Sequence, residues 1–266
     1  MSLLLSHCVD CIYFLRHDPE DSARYISFPS VFTNLSLLRQ ARLEHTGEDI
    51  RIIGDRNSGL VQIFRRNLLK PCLVSYNGVV EEVTIYFQPL GILYFPSLNE
   101  RVTATNTFIS YRPVAEEAFS SDAIWTAASV AEKVTVIESI LNRLWQPFSH
   151  PFLHRAIQLL AADPALTTEA LAGELGISRK TLHQHFERYL GLSPSLYRKI
   201  TRFRNAVRER MDGRQDNTLT DLAYTMDFFD QSHMIRDFKS LTGFIPLEFF
   251  RKIRTMENSS VQWMMR

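Results

Sequence analysis

The chain reads as an α+β protein. Its first half is predicted to be an antiparallel β barrel or sandwich with helices; its second half is all α, two helix-turn-helix units joined by a long helix. Three observations predict this. A block at residues 171–199 recurs at 222–252. Short runs rich in β-branched and aromatic residues, divided by turn signals, fill residues 24–110. Charge is unevenly shared, and the expected division falls between residues 1–148 and 149–266.

The repeat is the strongest of the three. Ala172 aligns with Ala223, Phe186 with Phe238, Gly191 with Gly243 and Pro194 with Pro246. One extra residue lies in the turn of the second copy. Such self-similarity marks a supersecondary unit used twice. In the first copy Thr167 caps a short helix whose apolar residues are Leu171, Ala172 and Leu175. Gly176 supplies the turn, and Ser178 caps a second helix over 179–190 with Leu182, Phe186 and Leu190 on one face. Gly191 stops it, and Ser193-Pro194 opens the next. In the second copy Thr218 and Asp221 have capping-box spacing, Asp230 caps a helix over 231–242, and Met234, Phe238 and Leu241 form its buried stripe. Each copy is a helix-turn-helix, at about 167–190 and 218–242.

Subtracting the buried stripes exposes the chemistry. Arg, Lys, Gln, Ser and His are the side chains that bond base edges, and Arg and Lys also neutralise phosphates. The helix at 179–190 leaves Arg179, Lys180, His183, Gln184, Glu187 and Arg188 outward; the helix at 231–242 leaves Gln231, Ser232, His233, Arg236 and Lys239. One such face is an ordinary solvated surface. Two on a repeated helix-turn-helix frame point to double-stranded DNA. The linking helix at 194–211 carries Arg198, Lys199, Arg202, Arg204, Arg208 and Arg210. At its length of roughly 27 Å, the two outward helices can sit about one DNA turn, roughly 34 Å, apart. Expected phosphate contacts are Arg179, Arg188, Arg198, Lys199, Arg202 and Lys239.

Residues 150–254 resemble the DNA-binding domain of the AraC/XylS family of bacterial transcription regulators. The resemblance is carried by Leu171-Ala172, Gly176-Ile177-Ser178, Leu182, Phe186, Gly191 and Pro194, then Ala223, Phe228, Gln231-Ser232, Phe238, Gly243, Pro246 and Arg251. Asp227-Phe228 stands where the family usually has Gly-Phe, and Met234 where an aromatic is common. The resemblance implies base contacts at Lys180, His183, Gln184, Gln231, Ser232, His233 and Arg236, which agree with the outward faces. It also implies a cupin-like barrel in front, a small-molecule effector, a homodimer, and RNA polymerase as a further candidate partner.

Composition fits this plan. Residues 150–266 hold 17 Lys+Arg against 13 Asp+Glu, a net of +4, and residues 1–149 hold 13 against 16, a net of −3. No stretch is apolar for long enough to span a membrane, and Leu3-Leu4-Leu5 is too short for a signal peptide, so a cytoplasmic location is expected. Three cysteines cannot build a disulfide framework. Cys8 and Cys11, with His7 and His17 nearby, lack the second ligand pair of a structural zinc site, so no metal and no cofactor is expected.

Ahead of the repeat, the expected strands are Arg24–Phe28, Val31–Leu43, Ile50–Ile53, Leu60–Phe64, Cys72–Tyr76 and Val83–Phe87. Their turns carry Gly47, Gly54, Gly59, Asn77-Gly78 and Gly91. His45 stands without the neighbouring histidines of a metal-binding cupin. Phe64, Tyr76, Tyr86, Phe87, Tyr94 and Phe95 are either core or the lining of a small-molecule pocket. Val134, Ile137, Leu141, Leu144 and Trp145 have helical spacing, for a helix that either caps the barrel or forms a two-fold interface. Residues 147–151 mark the linker. No nucleophile–base pair is visible, so the chain is read as not an enzyme. The alternatives are a DNA-anchored enzyme with a catalytic barrel, and a ligand-independent architectural DNA-binding protein.

Overall fold

The computed structural model describes residues 4–18, 24–46, 49–99, 109–111, 119, 122–211 and 231–256. Nine strands come first among them: β1 (Val9–His17), β2 (Arg24–Ser27), β3 (Thr33–Arg39), β4 (Ala41–Thr46), β5 (Asp49–Gly54), β6 (Val61–Arg65), β7 (Cys72–Asn77), β8 (Val80–Phe87) and β9 (Ile109–Tyr111). They form two sheets, ordered β1-β8-β3-β6-β9 and β2-β7-β5-β4.

Three details differ from the sequence expectation. The single strand expected over residues 31–43 is two, because Gln40 takes a left-handed φ of 53° and turns the chain from one sheet into the other. The residues of β1 were not expected as a strand, yet they pair with β8 along almost their whole length, with one irregularity between Val9 and Cys11. The sheets are not wholly antiparallel, since β5 and β7 run parallel. Between these two strands the chain visits the other sheet as β6, which supplies the long crossover that parallel neighbours need.

Alternation gives the five-stranded sheet two different faces. One carries Leu35, Leu37, Phe64, Val83, Ile85 and Phe87 against the helix Val130–Leu144. Two short helices, α1 (Pro96–Asn99) and α2 (Ala123–Thr126), precede α3 (Val130–Leu144). Ser129 caps α3 by accepting from the Glu132 N–H at 3.2 Å, and Glu132 accepts from the N–H of Ala128, the residue before the cap, at 2.9 Å. Ile137 and Leu141 of α3 are fully buried on the chain's own sheet. Of the two roles expected for this helix, its apolar stripe performs the first and covers the barrel.

The helical half contains α4 (Leu153–Ala162), α5 (Thr168–Glu174), α6 (Arg179–Leu190), α7 (Pro194–Met211), α8 (Gln231–Thr242) and α9 (Pro246–Met256). The bounds of α6, α7 and α8 match the sequence expectation. Thr218, Asp221, Ala223, Asp227, Phe228 and Asp230, with the first helix of the second unit, lie outside the described residues. Helical and β halves share one apolar cluster, in which Val31 and Leu90 join Leu160, Leu171, Phe186, Phe203 and Phe238. Phe28 meets Phe249 edge-on at 4.7 Å.

Candidate nucleic-acid interface

The first unit is built by capping and a close helix crossing. Thr167 accepts from the Ala170 N–H at 3.1 Å and Ser178 from the Thr181 N–H at 3.0 Å, so each helix starts on a satisfied N-cap. Between them Gly176 has φ 66°, a conformation that costs glycine little. The Ile177 N–H reaches back to the Ala172 carbonyl at 3.0 Å and tightens the turn. Ala172 is only 3% exposed, so its small side chain is buried within the unit. Leu182, Phe186 and Leu190 face inward, with Phe186 edge-on to Tyr197 at 5.8 Å.

With that stripe buried, Arg179, Lys180, His183, Gln184, Glu187 and Arg188 are all exposed. Lys180, His183, Gln184 and Glu187 lie at i, i+3, i+4 and i+7, on one face. His183 Nδ1 lies 3.4 Å from Glu187 Oε2, and Arg179 lies 3.8 Å from Glu169, both at the solvent surface. In α8, Met234, Phe238 and Leu241 are buried, while Ser232, Arg236 and Lys239 are exposed along one face. The Arg236 Nε–H lies along its own helix, donating to the Ser232 carbonyl at 3.3 Å. The side chains of Gln231 and His233 lie outside the described residues.

The linking helix α7 departs most from the sequence reading. Arg202, expected among the phosphate contacts, is 7% exposed and bonds Asp237 of α8 at 3.0 Å. Lys199 Nζ lies 3.4 Å from the same carboxylate. Arg198 donates to the Ala165 carbonyl at 2.7 Å, and burial lowers its pKa. Arg204 is half-buried, and desolvation lowers its pKa, opposed by the nearby Tyr86. Arg210 stands over the Phe250 ring at 5.9 Å. These side chains bind the helical half together and dock it on the β half, whereas Arg208 is exposed. The acid that reorganises them, Asp237, gave one sequence signal: an isolated carboxylate between the basic positions Arg236 and Lys239 of one helix.

A polar cluster lies between the two sheets. Glu82, 3% exposed, accepts from Tyr13 at 2.9 Å, from Thr84 at 2.7 Å and from Tyr76. Because Thr84 spends its proton on Glu82, Ser36 is the donor in the Ser36–Thr84 bond. Tyr25 and His17 stack on Tyr76 at 6.2 and 5.6 Å, and Tyr13 stands 6.0 Å from Tyr86. Burial first, then the Glu82 charge, pushes the Tyr13 and Tyr76 hydroxyls well above the ordinary tyrosine value. Of the six aromatics expected to be core or pocket, only Tyr76 and Tyr86 join this cluster. Phe64, Phe87 and Phe95 sit in the helix-facing core, and Tyr94 lies at the junction of the halves, 3.1 Å from His154. His45 is exposed on β4. Among the described residues no group of three or more His, Cys, Asp or Glu side chains could hold a metal ion, and no helix is long and apolar enough to cross a membrane.

The fold and these faces define a class, a β-rich half coupled to a helical module with two outward polar helix faces. Residues 171–252 match the family model described as a helix-turn-helix domain, here of the AraC type. The chain is similar to the HTH-type transcriptional activator RhaS of Escherichia fergusonii, with 29% identity over 98 residues, 37% of this chain. The match spans 33% of RhaS, about a third of its length. Among solved structures it is similar to ToxT from Vibrio cholerae, with 13% identity, a TM-score of 0.47, and 91% of this chain and 97% of that one covered. It is also similar to the unsaturated-fatty-acid-bound wild-type ToxT from Vibrio cholerae strain SCE256, with 12% identity, a TM-score of 0.43, and 91% and 94% coverage.

Proposed function

We propose that this chain is a sequence-specific transcription regulator that binds double-stranded DNA, with a division of labour at residues 148/149. One observation carries the reading. On an AraC-type helix-turn-helix segment, α6 presents Lys180, His183 and Gln184 to solvent, flanked by Arg179 and Arg188. Ser232, Arg236 and Lys239 give α8 a matching face. In the proposal Lys180, His183, Gln184, Gln231, Ser232, His233 and Arg236 read base edges, while Arg179, Arg188 and Lys239 meet phosphates. The buried Arg202 and the paired Arg198 and Lys199 leave that second group.

The β half takes the role of effector holder. Its support is the cluster of Tyr13, Tyr25, Tyr76, Tyr86, Thr84 and Glu82 between the sheets, since such interiors are ordinarily apolar. A small polar molecule that exchanges hydrogen bonds with this wall would shift the population of DNA-competent protein. The proposal includes a homodimer, which would use surface other than the apolar stripe of α3.

The test is selection of bound sequences from random duplex DNA by the purified chain, then gel shifts across a salt series. Enrichment of one site, with affinity falling steeply as salt rises, is the expected result. Binding without sequence preference would favour an architectural role, and no binding would sink the proposal.

A further inference from the structure

The last turn of α6 is finished by the β half. An α-helix leaves its last four carbonyls without intrahelical partners. Here they belong to Glu187, Arg188, Tyr189 and Leu190. The Gly191 N–H takes the first at 3.0 Å. Arg66 Nη2 donates to the next two, at 3.1 and 2.5 Å, and Asn67 Nδ2 donates to the Leu190 carbonyl at 2.6 Å. All four are satisfied, three of them by two adjacent residues that follow strand β6.

The mount for these two residues is rigid. Arg66 and Asn67 are 9% and 7% exposed. Thr33 Oγ1 donates to the Arg66 carbonyl at 3.0 Å, and Ser30 and Leu68 exchange backbone bonds at 2.9 and 3.1 Å. Gly191 makes the approach possible. It has φ 73°, and a Cβ there would lie 3.2 Å from Asn67 Nδ2 and 3.4 Å from the Arg66 side chain. The guanidinium also meets the negative end of the helix dipole.

This contact lies at the C-terminal end of α6. Reading helices present their N-terminal residues to base edges, and Lys180, His183 and Gln184 are exposed in that part of the helix. The β half therefore grips α6 from behind and leaves its reading face open. We infer that Arg66 and Asn67 are positioning residues, which set the angle at which the first reading helix enters the groove. The inference rests on the DNA-binding reading of α6. It makes the β half part of sequence recognition, with α6 mounted on the sheet as well as on its own unit.

The experiment uses the full chain and the duplex it selects from a random pool. Arg66→Ala should weaken binding on the order of 10-fold, the loss of about one charged hydrogen bond's worth of placement. Scanning every base pair of the site should show preference relaxed only in the half under α6, with the half under α8 read as before. Arg66→Lys, which can reach one carbonyl but not both, should fall between. Asn67→Ala, which removes a single bond, repeats the test should Arg66→Ala not fold. Unchanged affinity and preference in the variants, or a loss spread evenly over both halves, overturns the positioning role. If the wild-type chain selects no sequence, it is the DNA-binding reading that fails and takes this inference with it.

Discussion

Asp237→Asn should loosen the helical half more than any exposed substitution. Asp237 and Arg202 have side chains only 8% exposed and meet at 3.0 Å, joining α8 to the linking helix. Removing one charge strands the other in a poorly hydrated place, which costs about 3–5 kcal/mol for a buried pair. Asparagine keeps the volume and one acceptor, so about 3 kcal/mol is expected. Lys199, 27% exposed at 3.4 Å, is too well solvated to add much. In a chain of this size that cost is roughly 6–12 °C of melting temperature. The assay is a double-mutant cycle by urea unfolding with Asp237→Asn, Arg202→Met and the pair together. The double variant carries no unmatched buried charge and should be destabilised by less than the two singles combined, with a coupling of about 1–3 kcal/mol. Additive losses would refute the reasoning, because they would mean that the two groups act independently.

Three further outcomes are expected. Arg236→Ala should cost about 1–3 kcal/mol of DNA binding and relax one base pair, read by competition gel shift; equal loss on all sequences would reassign it to phosphate. Gly191→Ala should destabilise the fold by about 1–2 kcal/mol, because its φ of 73° is left-handed and its Cβ would crowd Asn67; unchanged thermal melting would argue against that geometry. Stability should decline as pH falls. Burial first, then His185 and His154, lowers the His150 pKa below 6.5, so the folded chain holds this ring neutral while the unfolded chain protonates it. The contribution is whole above pH 6.5 and is lost as the pH drops below that value toward the depressed one. Urea midpoints between pH 8 and 5 should fall with acid, and His150→Gln should flatten that slope.

How much of this was legible in the sequence depended on the range of the interactions. Strand positions in the β half followed from local runs and turns, but β1 did not, because only its pairing with β8 makes Val9–His17 a strand. The parallel β5–β7 pair and the corner at Gln40 are consequences of which sheet each segment joins, a matter no local pattern encodes. The site divided in the same way. Lys180, His183, Gln184, Ser232 and Arg236 were visible because helical periodicity separates buried from outward positions. Arg198, Lys199 and Arg202 looked identical to them, and their fates turned on Ala165 and Asp237, remote in sequence.

From the residues alone came the repeat, its caps, its glycine turns and the polar composition of two helix faces, all set by interactions within a few positions of the chain. Only the tertiary structure decided which basic side chains were left for a partner, which tyrosines met Glu82, and that Arg66 and Asn67 finish the helix ending at Leu190. The physical reason is that burial and pairing of a charge depend on what packs across from it. A helical stripe announces its own inward face, but the partners of its outward one are chosen by the rest of the fold.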